Sequence, residues 1–554
     1  MSGPDAVVIS PGSVTSADVV RVARHGATVH LSETARRAMA DSRLTVERLA
    51  AGSAPVYGIS TGFGALATRF IPSEQRRTLQ ASLVRSHAAG MGPPVEREVV
   101  RALMFLRLKT LAGGHTGARP IVAETLAALL NAGVTPVVHQ HGSLGCSGDL
   151  APLAHCALVL MGEGTATCQP TGTQATGQPT GTQPTGTQAT GQPTGTQATG
   201  TPATCSAGAG EAIPGGLALE MAGIAPVRLE TKEGLALING TDGMLGMLVL
   251  ACEDLAAIAD AADVIAAMSV EALLGTDQAF RRELHLPLRP HPGQAVSAGR
   301  MYRALRGSGI VASHRFGDTR VQDAYSLRCA PQVTGAVRDT LTHAKSVAAR
   351  ELAASIDNPV VLDTGEVTSN GNFHGAPIGY VLDFLAIAVA DLGSIAERRT
   401  DRMLDPARSH GLPPFLAADP GVDSGLMIAQ YTQAAMVSEN KRLATPASVD
   451  SIPSSAMQED HVSMGWSAGC KLRQALENLR RILAIELVVA ARAIELRKPL
   501  EPSPATGAVV AALRETVPGF GADRMLAPEL AAAERFVTDG TVERAAASAI
   551  GAFE

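Results

Sequence analysis

Aromatic side chains are scarce in this chain, 3% of 554 residues with a single tryptophan. The rows of rings on which single-stranded bases stack are therefore missing. Positive charge is not in excess either. The 46 Lys and Arg stand against 52 Asp and Glu, a formal net charge of −6, which removes the electrostatic case for a nucleic-acid partner. The cysteines, at 146, 156, 168, 205, 252, 329 and 470, contain no CxxC pair. Their odd number and scatter exclude a disulfide framework and a structural zinc site, and suit thiols in a reducing cytoplasm. Glu459, Asp460 and His461 lack an HExxH-like partner spacing, so no metal is expected. Met1-Ser2-Gly3-Pro4-Asp5 has no basic region ahead of an apolar run, so no secretory signal is expected. The most apolar segment, 244–274, carries Glu253, Asp254, Asp260, Asp263 and Glu271. Those acids make it a buried amphipathic helix rather than a membrane span.

Charge and bulk are also missing locally. From 165 to 210 there is no charged residue and no Leu, Ile, Val or aromatic, and Thr-Gly-Thr-Gln-Ala-Thr-Gly-Gln-Pro recurs at 171–179 and 185–193. Such a stretch cannot bury enough apolar surface to offset its ordering entropy, and it is expected to be a disordered surface insertion. Cys168 and Cys205 flank the repeat, with reduced thiols the expectation.

The rest is globular, with 45% hydrophobic residues. Residues 1 to about 165 mix short helices with glycine-rich loops, as at Tyr57-Gly58-Ile59-Ser60-Thr61-Gly62-Phe63-Gly64. Beyond 210 the pattern becomes long and helical. Leu472, Leu476, Leu479, Leu483 and Leu487 keep helical spacing, and similar patterns run through 244–274, 334–355 and 379–404. The expected fold is mainly α. An N-terminal domain over 1–210 holds the glycine-rich loops, and a long-helix bundle with a C-terminal helical region covers 211–554.

One serine is bracketed by glycines, in Gly142-Ser143-Leu144-Gly145-Cys146-Ser147-Gly148-Asp149-Leu150-Ala151-Pro152-Leu153. Attack of the Gly148 amide nitrogen on the Cys146 carbonyl carbon closes a five-membered ring, and glycine opposes that approach least. Loss of water from the ring and from the Ser147 side chain leaves an exocyclic methylidene, an electrophile no ordinary side chain supplies. The alternative is a glycine-rich turn whose serine caps the next helix.

Other polar clusters recur along the chain. They are Tyr57 in its glycine loop, His87 in Ser-His-Ala-Ala-Gly, Asn239 before Gly240, Asn370-Gly371-Asn372-Phe373-His374, and Gln458-Glu459-Asp460-His461. Gln322, Tyr325 and Arg328, spaced i, i+3, i+6, can share one helix face. Each alone reads as well as a satisfied core residue. Together with an electrophile they suit a pocket for a small zwitterion.

With these motifs in this order over nearly its whole length, the chain resembles the histidine and aromatic amino acid ammonia-lyases. The tyrosine loop, the Gly-Ser-Leu-Gly-Cys-Ser-Gly-Asp-Leu-Ala-Pro-Leu signature, the Asn-Gly-Thr segment, Arg289-Pro290-His291-Pro292-Gly293-Gln294, the Tyr-Ser-Leu-Arg block and Gln-Glu-Asp-His carry the resemblance. It implies an ammonia-lyase/fumarase-like helical fold and a homotetramer whose active sites combine several subunits. It also implies a 4-methylidene-imidazol-5-one formed autocatalytically from Cys146, Ser147 and Gly148, with no external cofactor. His87 and Glu459 match the histidine-specific branch, where phenylalanine enzymes tend to carry an apolar residue and a glutamine. The implied reaction is non-oxidative deamination of L-histidine to trans-urocanate and ammonia, the first step of histidine degradation. A pocket offering His87 and Glu459 rejects a phenyl ring by leaving buried polar groups unpaired. The alternatives are a tyrosine or phenylalanine lyase or aminomutase of the same family, and a non-catalytic helical scaffold.

The resemblance also implies roles. Tyr57 is the base, with Glu459 its rival, and Arg328 binds the substrate carboxylate in bidentate fashion. Asn239 and Tyr325 hold the prosthetic group and the amine, Gln322 supports them, Phe373 packs near the electrophile, and Asp149 assists dehydration. Two departures stand out. Cysteine occupies position 146, where alanine is commonest, and the Thr/Gly/Gln repeat has no family counterpart.

Overall fold

The computed structural model describes residues 6–169 and 210–553. Most of the expected low-complexity insertion, with Cys205, lies outside the described residues. Its first residues do not behave as expected. Thr165–Cys168 is the middle strand of a three-stranded antiparallel sheet, between Val134–Pro136 and Ala212–Pro214, with Thr135 opposite Thr167 and Ala166 opposite Ile213. Ala166 and Cys168 alternate into the core while the threonines carry strand propensity, so ladder pairing orders this end of the segment.

Helix dominates as expected, and the largest sheet among the described residues has three strands. The chain forms two compact units. The first comprises Met1–Gly246, Glu351–His374 and Ile452–His461, and the second Met247–Arg350, Gly375–Ser451 and Val462–Glu554.

In the first unit, Thr15 and Asp18 form a capping box that starts helix Ser16–Arg24. Helix Arg97–Ala112 runs through the core with every residue from 99 to 112 buried, including Arg101, Arg107 and Lys109. A guanidinium survives there only by finding carbonyls. Arg101 donates to Val22 O and Leu130 O, and burial still lowers its pKa to about 9. Helices Arg76–His87, Leu150–Leu160 and Glu233–Ile238 pack pairwise on one another and carry the site.

The second unit is built from long helices. Leu472, Leu476, Leu479, Leu483 and Leu487 are buried along helix Gly465–Glu495, as their spacing predicts. That helix packs on Ala376–Leu404, whose Arg399 meets Glu486 at 2.5 and 2.9 Å, with the Ser269 hydroxyl donating to the same carboxylate. Ala376–Leu404 is long and apolar enough to cross a membrane by length and composition, yet most of it is buried within the protein.

Asp242–Ala272 is helical and largely buried as expected, with Glu253 exposed and Asp260 half-buried. Asp263 and Glu271 are fully buried. Arg338 neutralises Asp263 at 2.7 Å, and Ser503 N–H and the Thr506 hydroxyl donate to Glu271. Partners distant in sequence allow acids to sit inside.

Candidate active site

Strand His139–His141 pairs antiparallel with Met91–Pro94 and delivers the chain into the glycine-bracketed loop. Gly145 and Gly148 adopt left-handed φ of 68° and 83°, open to glycine without steric cost. Gly148 bridges to Gly240, and a Cβ there would lie 2.1 Å from Gly240 O. The next amide, Asp149 N–H, donates to the same Gly240 oxygen at 2.7 Å.

The Asp149 carboxylate is fully buried. It accepts from Gly243 N–H at 2.8 Å, Met244 N–H at 3.0 Å and the Ser143 hydroxyl at 2.9 Å. The two amides belong to the first turn of helix Asp242–Ala272, whose dipole favours an anion. Burial outweighs these contacts and pushes the carboxyl pKa up to about 7.

Ser147 does not cap the helix that follows, since Asp149 stands at that position. Its hydroxyl donates instead to Glu459 Oε1 at 2.5 Å, while the Cys146 thiol and the Ser454 hydroxyl donate to Oε2 at 3.2 and 3.0 Å. Burial, then the Glu459 charge and its hydrogen bond, push the Cys146 thiol up to about 12. The backbone presenting Glu459 is unusual. Ser455, Ala456 and Met457 all have φ between 52° and 68°, in the left-handed region that costs non-glycine residues energy. Ser454 N–H to Glu459 O, at 2.9 Å, closes this turn.

Ser147 and Glu459 open onto a cavity of about 710 Å³, also lined by Tyr57, His87, Asn239 and Asn358, with Phe63, Leu66, Ile71, Leu79 and Leu83 among its apolar walls. Concave, mostly apolar space with a few convergent polar groups is the usual form of a small-molecule site. His87 ends helix Arg76–His87, and its Nδ1 lies 2.9 Å from Leu83 O. A carbonyl only accepts, so Nδ1 carries the proton, and in the neutral ring Nε2 offers a lone pair. The Tyr57 hydroxyl oxygen accepts Gly64 N–H at 3.3 Å.

Asn239 is held by groups that no local motif announces. Buried Arg107 donates to Asn239 O at 2.7 Å and Ala236 O at 2.9 Å. It also reaches Asp242 at 2.6 Å and Ile356 O at 3.2 Å. Asn239 Nδ2 then donates to Asn358 O. Lys232 and Asp357, buried and 2.6 Å apart, brace the same corner. The available signal was charge inside an apolar helix, at Arg101, Arg107 and Lys109, which required buried acceptors.

The other expected residues are not among those that line this cavity. Phe373 is half-buried in the first unit and does not line the cavity. Gln322, Tyr325 and Arg328 belong to the second unit. They do not share a helix face either, because the helix spans only Tyr325–Arg328 and Gln322 precedes it. Arg328 Nε donates to Asp323 O at 3.0 Å and its guanidinium stacks over the Tyr325 ring at 4.6 Å. Asp323 accepts Thr276 N–H and Arg399 donates to Ser326 O, so this segment is pinned at both ends.

This helical scaffold and its sequence are similar to those of known enzymes. The chain belongs to the aromatic amino acid lyase family, whose model matches residues 14–515. It is 63% identical to a histidine ammonia-lyase of Streptomyces griseus over 96% of this chain and 97% of that one. It is 61% identical to a histidine ammonia-lyase of Streptomyces coelicolor over 98% and 99%. Among solved structures, a histidine ammonia-lyase from Trypanosoma cruzi superposes with TM-score 0.83 at 34% identity, covering 98% of this chain and 95% of that one. A tyrosine aminomutase from Streptomyces globisporus superposes with TM-score 0.86 at 36% identity, covering 98% and 99%.

Proposed function

We propose that the chain deaminates L-histidine to trans-urocanate and ammonia. The observation that carries this reading is the Ser147–Glu459 contact of 2.5 Å in a cavity that His87 also lines. The reacting serine and two imidazole-binding groups thereby share one space. The relatives in Streptomyces bear the same activity in their names.

The residues at 146–148 fit a methylidene-imidazolone. The left-handed loop, the Cβ-free approach of Gly148 to Gly240, and a buried Asp149 near neutral pKa favour ring closure and loss of water. When formed, the group supplies an electrophilic carbon that takes the substrate amine and makes it a leaving group.

This chain's own side chains do the rest. In its protonated form the substrate imidazole donates one hydrogen bond to His87 Nε2 and a second to Glu459. A phenyl ring would leave His87 Nε2, and the Glu459 Oε1 freed when Ser147 loses its hydroxyl, without a donor, which favours histidine over phenylalanine. Tyr57, acting as its phenolate, takes the β-proton on its oxygen, which the Gly64 N–H holds in place. Glu459 is the alternative base. Asn239, immobilised by Arg107, holds the amine end.

Arg328 and Tyr325, with Gln322 behind them, come from neighbouring subunits of a homotetramer, and Phe373 closes near the electrophile. Their surroundings support assembly, since Tyr325 is 71%, Phe316 90% and Val321 99% exposed in the single chain. The enzyme works in the cytoplasm, in keeping with buried Cys146, Cys156 and Cys252.

Purified protein supplied separately with L-histidine, L-phenylalanine and L-tyrosine tests the reading. Urocanate alone is expected. Cinnamate, coumarate or a β-amino acid without urocanate would overturn it in favour of another family member's reaction.

A further inference from the structure

We infer that His155 is a positioning residue for substrate binding, acting through the main chain that follows His87. The inference rests on the histidine reading for its kinetic consequence. The geometry behind it stands alone.

Helix Arg76–His87 leaves its last residue through a tight exit. Ala88 has φ −75° and ψ 60°, and Ala89 N–H returns to His87 O at 2.8 Å, an inverse γ-turn. The next amide, Gly90 N–H, donates to His155 Nε2 at 3.1 Å. His155 lies on helix Leu150–Leu160, which begins directly after the Cys146-Ser147-Gly148 loop and whose Leu150 lines the cavity. One imidazole therefore couples the two segments that bring His87 and Ser147 to the same space.

The approach is built for that contact. A Cβ at Gly90 would lie 3.0 Å from His155 Nε2 and 3.3 Å from both His139 Cβ and His141 O. The His139 ring packs edge-on against His155, with centroids 5.4 Å apart, and His139 Nδ1 is fixed on Gly92 O at 2.8 Å. To accept from Gly90, Nε2 must be unprotonated. Burial, and then the neighbouring His139, lower the His155 pKa and keep it so.

Without the acceptor, Gly90 N–H loses its partner and the exit of the His87 helix loosens. His87 binds the imidazole ring, remote from the bond that breaks, so its misplacement weakens ground-state and transition-state binding alike. His155→Leu is therefore expected to raise KM for L-histidine about tenfold, roughly the worth of one hydrogen bond, while kcat stays within about threefold. His155→Gln, whose side-chain amide reaches the Nε2 position with an acceptor, is expected to restore wild-type KM. Amide hydrogen exchange across 88–91 should quicken in His155→Leu and not in His155→Gln. Should leucine prevent folding, His155→Asn, polar but too short, replaces it. Wild-type KM and unchanged exchange in the leucine or asparagine variant would overturn the inference, as would a glutamine variant no better than leucine. If the wild type makes no urocanate, the substrate reading fails, and the exchange measurement still decides the role of His155.

Discussion

Replacing Gly148 by alanine separates the two physical demands placed on the reactive loop. The first is conformational, because Gly148 sits at φ 83°, where an L-residue pays roughly 1–2 kcal/mol. The second is steric, because the new Cβ would stand 2.1 Å from Gly240 O and 2.4 Å from its carbonyl carbon, both backbone. Backbone cannot swing aside like a side-chain tip, so overpacking adds roughly 1–3 kcal/mol. Together they give roughly 2–5 kcal/mol. Gly12 isolates the first demand, having φ 74° with nothing within 4 Å of its Cβ position. Denaturant unfolding at matched protein concentration should therefore show Gly12→Ala losing roughly 1–2 kcal/mol and Gly148→Ala clearly more. Mass spectrometry of folded Gly148→Ala should find no dehydrated tripeptide, since a Cβ displaces the residue whose nitrogen must attack the Cys146 carbonyl. A Gly148→Ala protein as stable as Gly12→Ala and fully dehydrated would refute the steric argument.

Asp149 makes stability depend on pH with an uncommon sign. Its folded pKa of about 7 lies above the ordinary 3.8, so the folded chain holds a proton that the unfolded chain releases between those values. Its contribution is fully present below about pH 4 and is lost as pH rises towards 7, by up to about 4 kcal/mol. Asp149→Asn should flatten that part of the stability profile relative to wild type, and parallel profiles would speak against it. Glu459→Gln should cut kcat/KM for L-histidine about 10²-fold or more, as loss of a charged acceptor and alternative base requires; unchanged kinetics would remove Glu459 from the site. Lys232→Met, which strands the buried Asp357 carboxylate, should destabilise the chain by about 3–5 kcal/mol. The double variant with Asp357→Leu should recover much of that loss, and no recovery would show the pair is not what holds the corner.

The long helices were legible because their apolar positions repeat at helical spacing, as the leucines from Leu472 to Leu487 do. The serine loop was legible because three glycines around Ser147 announce unusual backbone, and two of them, Gly145 and Gly148, adopt left-handed φ. His87, Asn239, Tyr57 and Glu459 meet Ser147 at one cavity, although Tyr57 and Glu459 lie some 400 positions apart. What escaped was whatever depends on contacts between distant segments. Asp263 and Glu271 gave no hint of their partners, because Arg338 and Ser503 lie far along the chain. Thr165–Cys168 read as disordered because its partners, Val134–Pro136 and Ala212–Pro214, straddle the repeat. Arg107 drew no attention, yet it gathers Ala236, Asn239, Asp242 and Ile356. Gln322 seemed aligned with Tyr325 and Arg328 by spacing alone, but the short helix starts after it.

The most direct test is the mass of the purified chain, with any deficit located to the peptide holding residues 146–148. Ring closure releases one water and Ser147 a second, so the account predicts a chain lighter than its sequence by two waters in protein that produces urocanate. Ser147→Ala has no side-chain water to give up and should fold without turnover. An unaltered Cys146-Ser147-Gly148 peptide in protein that converts L-histidine to urocanate would contradict the account.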